Sequence, residues 1–178
     1  TEDGYVVNGA KAWITHGGIA DFYNLFARTG EGSKGISCFL VPKDQQGLSF
    51  GKPEEKMGLH AVPTTSAHYD NAVLPAERRL GTEGQGLQIA FSALDSGRLG
   101  IAAVAVGIAQ AALDDAVAYA NEREVFGAPI GATQGIQFPI AKAYADSEAA
   151  DLMVRRATEL FEAGAPCGAE ANMAKLLA

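Results

Sequence analysis

The chain has only two cysteines in its 178 residues, and Cys38 and Cys167 lack metal-ligand spacing. Two isolated cysteines favour free thiols in a reducing compartment. The three histidines form no metal-ligand pattern either, and no apolar run reaches the roughly 20 residues that a membrane span needs. These absences exclude a disulfide scaffold, and we expect neither a metal site nor a membrane span.

Positive charge is also scarce, because 14 Lys and Arg stand against 21 Asp and Glu, giving a formal net charge of −7. Nucleic acids are bound by clustered positive charge, so we expect no nucleic-acid surface. The 48% hydrophobic and 20% charged composition is typical of a globular protein. No secretory leader is visible, which favours a cytoplasmic or a processed organelle protein. A start without Met and a final helical pattern without a stop signal indicate a fragment.

A change of pattern near residue 80 divides the chain. Before it, short β-rich runs alternate with turn clusters, as in a sandwich or barrel. Asn8-Gly9 lies between two of these runs and predicts a hairpin, because both residues tolerate positive φ. Residues 81–86 resemble a phosphate loop but lack its Lys, and we interpret them as a flexible segment before a helix. The predicted strands are residues 5–7, 11–15, 22–27, 36–41 and 66–69.

The second part of the chain has helical periodicity. A long helix is predicted to stop at Gly127 and Pro129. A second helix is predicted near residues 134–163, ending at 164–166, and a third begins near Ala169. The face of the long helix that carries the apolar period consists of Leu87, Phe91, Leu94, Arg98, Ile101, Ala105, Ile108 and Ala112.

Arg98 interrupts that apolar face, and Asp95 lies three residues before it, so the two side chains can pair. A structural ion pair is one interpretation. The other is that Arg98 orients a polar ligand, since a charge in apolar surroundings needs a partner.

Arg123 follows the long helix, where the helix dipole alone favours a cation. Phe126 in a glycine turn and Gln134 at the start of the next helix suggest an additional role, because free backbone N–H groups there suit an anion. This group could hold a pyrophosphate or an adenine.

Trp13 and Thr15 would lie on one face of a regular strand, where an indole and a hydroxyl could meet a flat heteroaromatic ring. A Trp packed in a β core and a locally bonded Thr are an equally good interpretation of the spacing.

Many short motifs, in order, resemble those of the acyl-CoA dehydrogenase family, most closely its short-chain (butyryl-CoA) members, across essentially the whole chain. The matching residues are Asp3-Gly4-Tyr5, Asn8-Gly9, Lys11, Trp13-Ile14-Thr15, Gly35 to Pro42, Lys56-Met57-Gly58, Leu80-Gly81, Gly84, Gly86, Asp95-Ser96-Gly97-Arg98, Arg123, Phe126-Gly127 and Gln134.

The resemblance implies an α+β fold: residues 1–80 form a β-barrel or sandwich middle domain, and residues 81–178 form the first helices of an antiparallel four-helix bundle. It also implies an FAD enzyme of fatty acid β-oxidation that converts a short- or medium-chain acyl-CoA to the trans-2-enoyl-CoA. An electron-transfer flavoprotein or similar acceptor, a homodimer or homotetramer, and a bacterial cytoplasmic or mitochondrial matrix location would follow.

By resemblance, Trp13, Ile14 and Thr15 would contact the flavin ring, and Thr15 would hydrogen-bond near N5. The adenosine and pyrophosphate of an FAD bound mainly by a neighbouring subunit would meet Arg123, Phe126 and Gln134. The acyl-CoA would contact Asp95, Ser96, Gly97 and Arg98, with Ser33 a weaker candidate.

The family places its catalytic Glu either immediately before the residue that matches Arg98 or far downstream. Because Gly97 occupies the first position, the base is expected beyond Ala178, and no catalytic residue is assigned here. Asp95 paired with Arg98 would be a poor base. We therefore expect the 178 residues alone to lack dehydrogenase turnover.

Two alternatives stay open. A flavin-dependent monooxygenase could share the fold, although the Trp-Ile-Thr motif favours a dehydrogenase by resemblance. A non-catalytic assembly module could instead use Arg123 to bind a neighbouring chain.

Overall fold

The computed structural model describes residues 4–178, with the side chain of Ser33 left aside. The chain divides into two compact units, Thr1–Ala90 and Phe91–Ala178. The first unit is built mainly from β-strands and the second mainly from helices, so the chain has the α+β class that the sequence predicts. The strands are β1 (Gly4–Thr15), β2 (Phe22–Arg28), β3 (Ile36–Pro42), β4 (Leu48–Phe50), β5 (Thr64–Pro75), β6 (Arg79–Leu80), β7 (Glu124–Val125) and β8 (Ala128–Pro129). The helices are α1 (Gly86–Glu122), α2 (Gln134–Glu162) and α3 (Gly168–Leu177).

The first unit contains two antiparallel three-stranded sheets, ordered β1-β5-β4 and β2-β3-β6. Inward-facing side chains of both sheets form one core, as in a sandwich. Three of the largest side chains in it, Phe39, Val41 and Leu74, are almost completely removed from solvent. The core residues are Val7, Leu25, Phe39, Val41, Ala67, Tyr69, Ala72 and Leu74.

The hairpin predicted at Asn8-Gly9 is wrong, because β1 runs without interruption from Gly4 to Thr15. Its partner is β5, and the register shifts between Val7 and Gly9. The amide N–H of Asn71 donates to Asn8 Oδ1 at 2.8 Å, and Asn71 has a positive φ of 49°. Asn8 and Gly9 thus lie at a bulge in β1 rather than in a turn.

The segment between β6 and α1 is hydrogen-bonded to strands of the first unit. The amide N–H of Gly84 donates to Ser37 Oγ at 3.1 Å, and a Cβ atom at Gly84 would collide with the carbonyl oxygen of Lys34. Tyr5 Oη donates to Glu83 Oε1 at 2.6 Å and accepts from Arg79 Nη1 at 2.6 Å. These contacts tie Glu83 and Gly84 to the β-strands, and the flexibility of residues 81–86 stays a prediction.

The helical unit has a core of mostly small side chains, and α2 and α3 pack closely together. Helices α2 and α3 lie within one or two residues of their predicted positions. The buried face of α1 is not the face that the apolar period predicts but the one next to it. On the predicted face, four large side chains are exposed: Phe91, Leu94, Ile101 and Ile108. The core residues are Leu99, Ala102, Val106, Ala150, Val154, Ala157, Ala171 and Ala174.

Helix α1 is apolar on more than one side. By length and composition it could cross a membrane, because one 18-residue window has a mean hydropathy of 1.6. The stretch without charged residues is shorter and runs from Leu99 to Leu113. Only 11% of that window is buried. A helix that packs against other helices on several sides has the same composition. The absence of a membrane span thus stays a prediction.

Candidate functional site

The end of β1 departs from regular strand geometry at Trp13. Its φ is 56°, that of His16 is 54°, and the register shifts between Lys11 and Ile14. Strand alternation therefore cannot place Trp13 and Thr15 on one face, and that arrangement stays a prediction. The local backbone is held by a hydrogen bond from His16 N to Pro63 O at 2.8 Å and by one from Tyr23 Oη to His16 O at 3.1 Å.

The indole of Trp13 is 77% exposed, so it does not belong to the β core. Ile14, by contrast, is half-buried against that core. Ile14 and Thr15 line a cavity of about 370 Å³ whose wall also includes Phe22, Asn24 and Tyr69. A non-glycine residue with positive φ costs free energy and is typical of functional sites. An indole that is this exposed is a surface that a planar ligand can cover.

Arg123 directly precedes a tight hairpin formed by β7 and β8, and Phe126 lies in the turn of that hairpin. Phe126 and Gly127 both have positive φ, 54° and 80°, as a type I′ turn requires. Phe126 is fully exposed at the tip. The backbone of Arg123 is fixed on both sides, since its N–H donates to Tyr119 O at 2.9 Å and its carbonyl accepts from Ile130 N at 2.8 Å.

No described residue forms a hydrogen bond or ion pair with the guanidinium of Arg123. Gln134 begins α2, and its side chain is exposed. Thr133 precedes it but does not cap the helix, because its hydroxyl donates to Ile130 O at 2.8 Å instead. A free cation, an exposed aromatic ring and an uncapped helix start suit an anionic ligand with a flat ring system.

The predicted pair of Asp95 and Arg98 is present on α1. Arg98 Nη1 donates to Asp95 Oδ1 at 2.9 Å, and the two side chains are 26% and 31% exposed. Ser96 and Gly97 are exposed, and a Cβ atom at Gly97 would meet open space. The pair is therefore accessible on one side.

Arg98 and Gly97 line a groove of about 690 Å³ between α1 and α3. Sequence reasoning missed the contribution of α3, which supplies Asn172, Lys175 and Leu176. Their spacing of three and four residues puts them on one helix face, and this pattern is the signal that could have found them. No carboxylate of the described residues lines the groove.

Ser33 lies in the turn Ser33–Gly35 between β2 and β3, but its side chain is outside the described part of the structure. Its predicted ligand contact stays a prediction. Asp95 is absent from the groove lining, and a Cβ atom at Gly168 would lie 3.7 Å from its carboxylate. Asp95 is thus placed between Arg98 and the beginning of α3.

Comparison with known proteins matches both parts of the chain to one family. Residues 1–72 match the acyl-CoA dehydrogenase middle domain, and residues 84–178 match the acyl-CoA dehydrogenase C-terminal domain. An acyl-CoA dehydrogenase of Bacillus subtilis (strain 168) is 48% identical over 98% of this chain and 46% of its own length. The mitochondrial short-chain specific acyl-CoA dehydrogenase of Rattus norvegicus is 45% identical, over 99% and 43%.

Solved structures agree with these relatives. Butyryl-CoA dehydrogenase from Megasphaera elsdenii is 41% identical with a TM-score of 0.92, covering 99% of this chain and 47% of that one. A structure from work on the electron transferring flavoprotein of Acidaminococcus fermentans and flavin-based electron bifurcation is 43% identical with a TM-score of 0.91, over 99% and 47%. The chain spans less than half the length of the relatives it matches. On both of its parts, the chain belongs to the acyl-CoA dehydrogenase family.

Proposed function

We propose that this chain is the middle domain, residues 1–80, and the first bundle helices, residues 81–178, of an FAD-dependent dehydrogenase for short- or medium-chain acyl-CoA thioesters. The observation that carries the proposal is the pair of unsatisfied surfaces, the exposed indole of Trp13 and the exposed group of Arg123 and Phe126. The family membership supports the choice of reaction, and the short-chain relatives support the choice of substrate.

The residues present fit a flavin dinucleotide. Trp13, Ile14 and Thr15 would contact the ring system, which accepts a hydride when bound. Arg123 has no partner among the described residues, so its charge is available to a pyrophosphate. The FAD that Arg123 meets would be bound mainly by a neighbouring subunit, which accounts for a homodimer or homotetramer.

The substrate would lie against α1. Arg98 would donate hydrogen bonds to it, and Ser96 and Gly97 would line its path. Ser33 stays a weaker candidate for a contact with the ligand. Loss of the α-proton needs a base and a stabilised enolate oxygen. The groove has no carboxylate of its own among the described residues, so we assign the base to a segment outside these 178 residues.

The same proposal includes an electron-transfer flavoprotein as the acceptor of the electrons. A bacterial cytoplasmic or mitochondrial matrix location agrees with the bacterial and mitochondrial relatives.

The test is anaerobic addition of butyryl-CoA to the full-length protein after reconstitution with FAD. We expect the visible flavin band to bleach and crotonyl-CoA to form in equal amount. Bleaching that requires a nicotinamide cofactor, followed by oxygen consumption, would indicate a monooxygenase instead. Absence of any flavin band would contradict the proposal and favour an assembly module.

A further inference from the structure

The loop between β4 and β5 contains Lys56-Met57-Gly58, a motif to which the proposed function gives no role. Lys56 is half-buried, whereas lysines are mostly exposed. Its Nζ donates to Leu59 O at 2.9 Å and also to Val62 O. The lysine therefore joins two carbonyl groups of its own loop and closes that loop.

Two further hydrogen bonds complete this closure. His60 Nε2 donates to Lys56 O at 2.7 Å, and Val62 N donates to Leu59 O at 3.0 Å. Leu59 has a positive φ of 53°, a conformation that a residue other than glycine keeps only where its surroundings hold it. Because the lysine and the Val62 amide both bind the Leu59 carbonyl, the conformation of the loop depends on these polar contacts.

The closed loop is connected through Pro63 to residues 13–16, which we call the flavin segment. Val62 O accepts from Lys56, and the carbonyl of the next residue, Pro63, accepts from His16 N at 2.8 Å. A proline ring fixes its φ near −65°, so only the ψ angle of Pro63 is free between these two carbonyl groups. An orientation imposed on Val62 O is therefore passed on to the atom that binds His16.

The flavin segment needs such support because both of its ends have unfavourable backbone conformations. The φ of Trp13 is 56° and that of His16 is 54°, and such angles persist in residues other than glycine only where neighbouring groups fix them. The N–H of His16 is held by Pro63 O, and its carbonyl is held by Tyr23 Oη. Loss of the first contact would let His16 relax, and Thr15 directly before it would move as well.

We propose that Lys56 is a positioning residue for the flavin chemistry, because by holding Val62 O it fixes the flavin segment and with it the hydroxyl of Thr15. This inference rests on the proposed function. Lys56 touches neither the flavin nor the substrate and acts through Pro63 and His16. A lysine that only stabilised its own loop would affect unfolding and leave the bound flavin unchanged.

The test uses the full-length FAD-loaded protein and Lys56→Met, which keeps an unbranched side chain but removes the ammonium donor. We expect a changed visible circular dichroism spectrum of the bound flavin. The bleaching rate with saturating butyryl-CoA should fall about tenfold, the size of one lost charge-assisted hydrogen bond. The butyryl-CoA concentration that gives half the maximal rate should stay the same. Lys56→Arg, which keeps a charged donor, should restore the spectrum and the rate.

The matched control is Lys52→Met, which removes an exposed lysine from the same loop and should leave the flavin spectrum and the bleaching rate unchanged. Pro63→Ala leaves the lysine in place but frees φ, so it should change the spectrum in the same direction as Lys56→Met. This variant keeps the inference testable if Lys56→Met does not fold. In a double-mutant cycle with Thr15→Ala, the loss of rate in Lys56→Met should be less than additive, because both changes act on the same contact with the flavin.

A wild-type spectrum and bleaching rate in both Lys56→Met and Pro63→Ala would overturn the inference. Equal changes in the Lys52 control, or fully additive losses in the double-mutant cycle, would also overturn it. A wild type that binds FAD but does not bleach with butyryl-CoA, together with the expected spectral change in Lys56→Met or Pro63→Ala, would contradict the proposed function alone. A wild type that binds no FAD would contradict both.

Discussion

The β unit and the helical unit bury apolar surface to different extents. The β unit closes its core with large side chains such as Phe39 and Leu74, which are nearly inaccessible to solvent. The helical unit packs mainly alanines, while Val104 and Ile108 on α1 remain exposed. Hydrophobic stabilisation grows with the apolar area buried. The β unit thus buries its core more completely, whereas the helical unit leaves more apolar side chains exposed.

The largest expected effect tests the β core. Replacing Phe39 by Ala removes a ring that packs edge-on against Tyr5 with centroids 4.7 Å apart. We expect a loss of about 3–5 kcal/mol in the free energy of unfolding, measured by urea denaturation of the full-length protein. Exposed Phe22→Ala in the same unit is the control. A loss below about 1 kcal/mol for Phe39→Ala would contradict a tightly packed core.

The next prediction concerns the exposed side of α1. Ile108→Glu places a charge where we infer that another helix or subunit packs, and it should lower the assembly state in analytical ultracentrifugation. Val73→Glu, at an exposed position on β5, should leave the assembly unchanged. Equal assembly of both variants and the wild type would show that α1 does not carry a subunit contact at Ile108.

A smaller effect is expected inside the helical core. Ser147 is buried on α2, and its Oγ has no hydrogen-bond partner among the described residues. An unsatisfied buried hydroxyl costs about 1–3 kcal/mol. Ser147→Ala should therefore raise the thermal midpoint by a few degrees in calorimetry, with Ser96→Ala on the exposed side of α1 as a control. A lower midpoint for Ser147→Ala would show that the hydroxyl has a stabilising partner.

The smallest effect is a pH dependence in the β unit. The hydrogen bond to Glu83, and next burial, raise the pKa of Tyr5 above its ordinary value of 10.0. The folded state therefore holds this proton more tightly, so the contribution is present below about pH 10 and is lost as pH rises further. Burial also raises the pKa of Tyr69, which acts in the same direction.

Comparison of the wild type with Tyr5→Phe isolates the first tyrosine, because Tyr69 is common to both. Urea unfolding at about pH 8 and about pH 10.5 should show a smaller loss of stability for the variant. An equal loss of the free energy of unfolding between the two pH values in both proteins would contradict a role for the Tyr5 hydrogen bonds.

The sequence predicts correctly those helix ends that are set by residues close to them in the chain. The stop at Gly164 and Pro166 and the start near Ala169 define α2 and α3 closely. Asn8-Gly9 misleads, because its geometry is decided by pairing with Asn71, which lies far along the chain. The buried side of α1 could not be read from periodicity, since a helix that is apolar on several sides offers more than one face.

In the candidate site, too, contacts set by local spacing could be predicted and those set by long-range packing could not. The pairing of Asp95 with Arg98 follows from their spacing, and the sequence predicts it. The spacing of Asn172, Lys175 and Leu176 indicates a shared helix face, but only the packing of α3 shows that this face borders the groove. The exposure of Trp13 also depends on a register shift against β5, which spacing alone cannot predict.

The most direct test of the proposed flavin surface is retention of FAD by the full-length protein after substitution of Arg123. We expect Arg123→Gln to weaken FAD binding at least tenfold in a fluorescence titration, since it removes the free cation beside Phe126. Arg156→Gln, which removes an exposed arginine near Glu159 on α2, should bind FAD like the wild type. Wild-type FAD affinity in Arg123→Gln would contradict the assignment of this face to the dinucleotide.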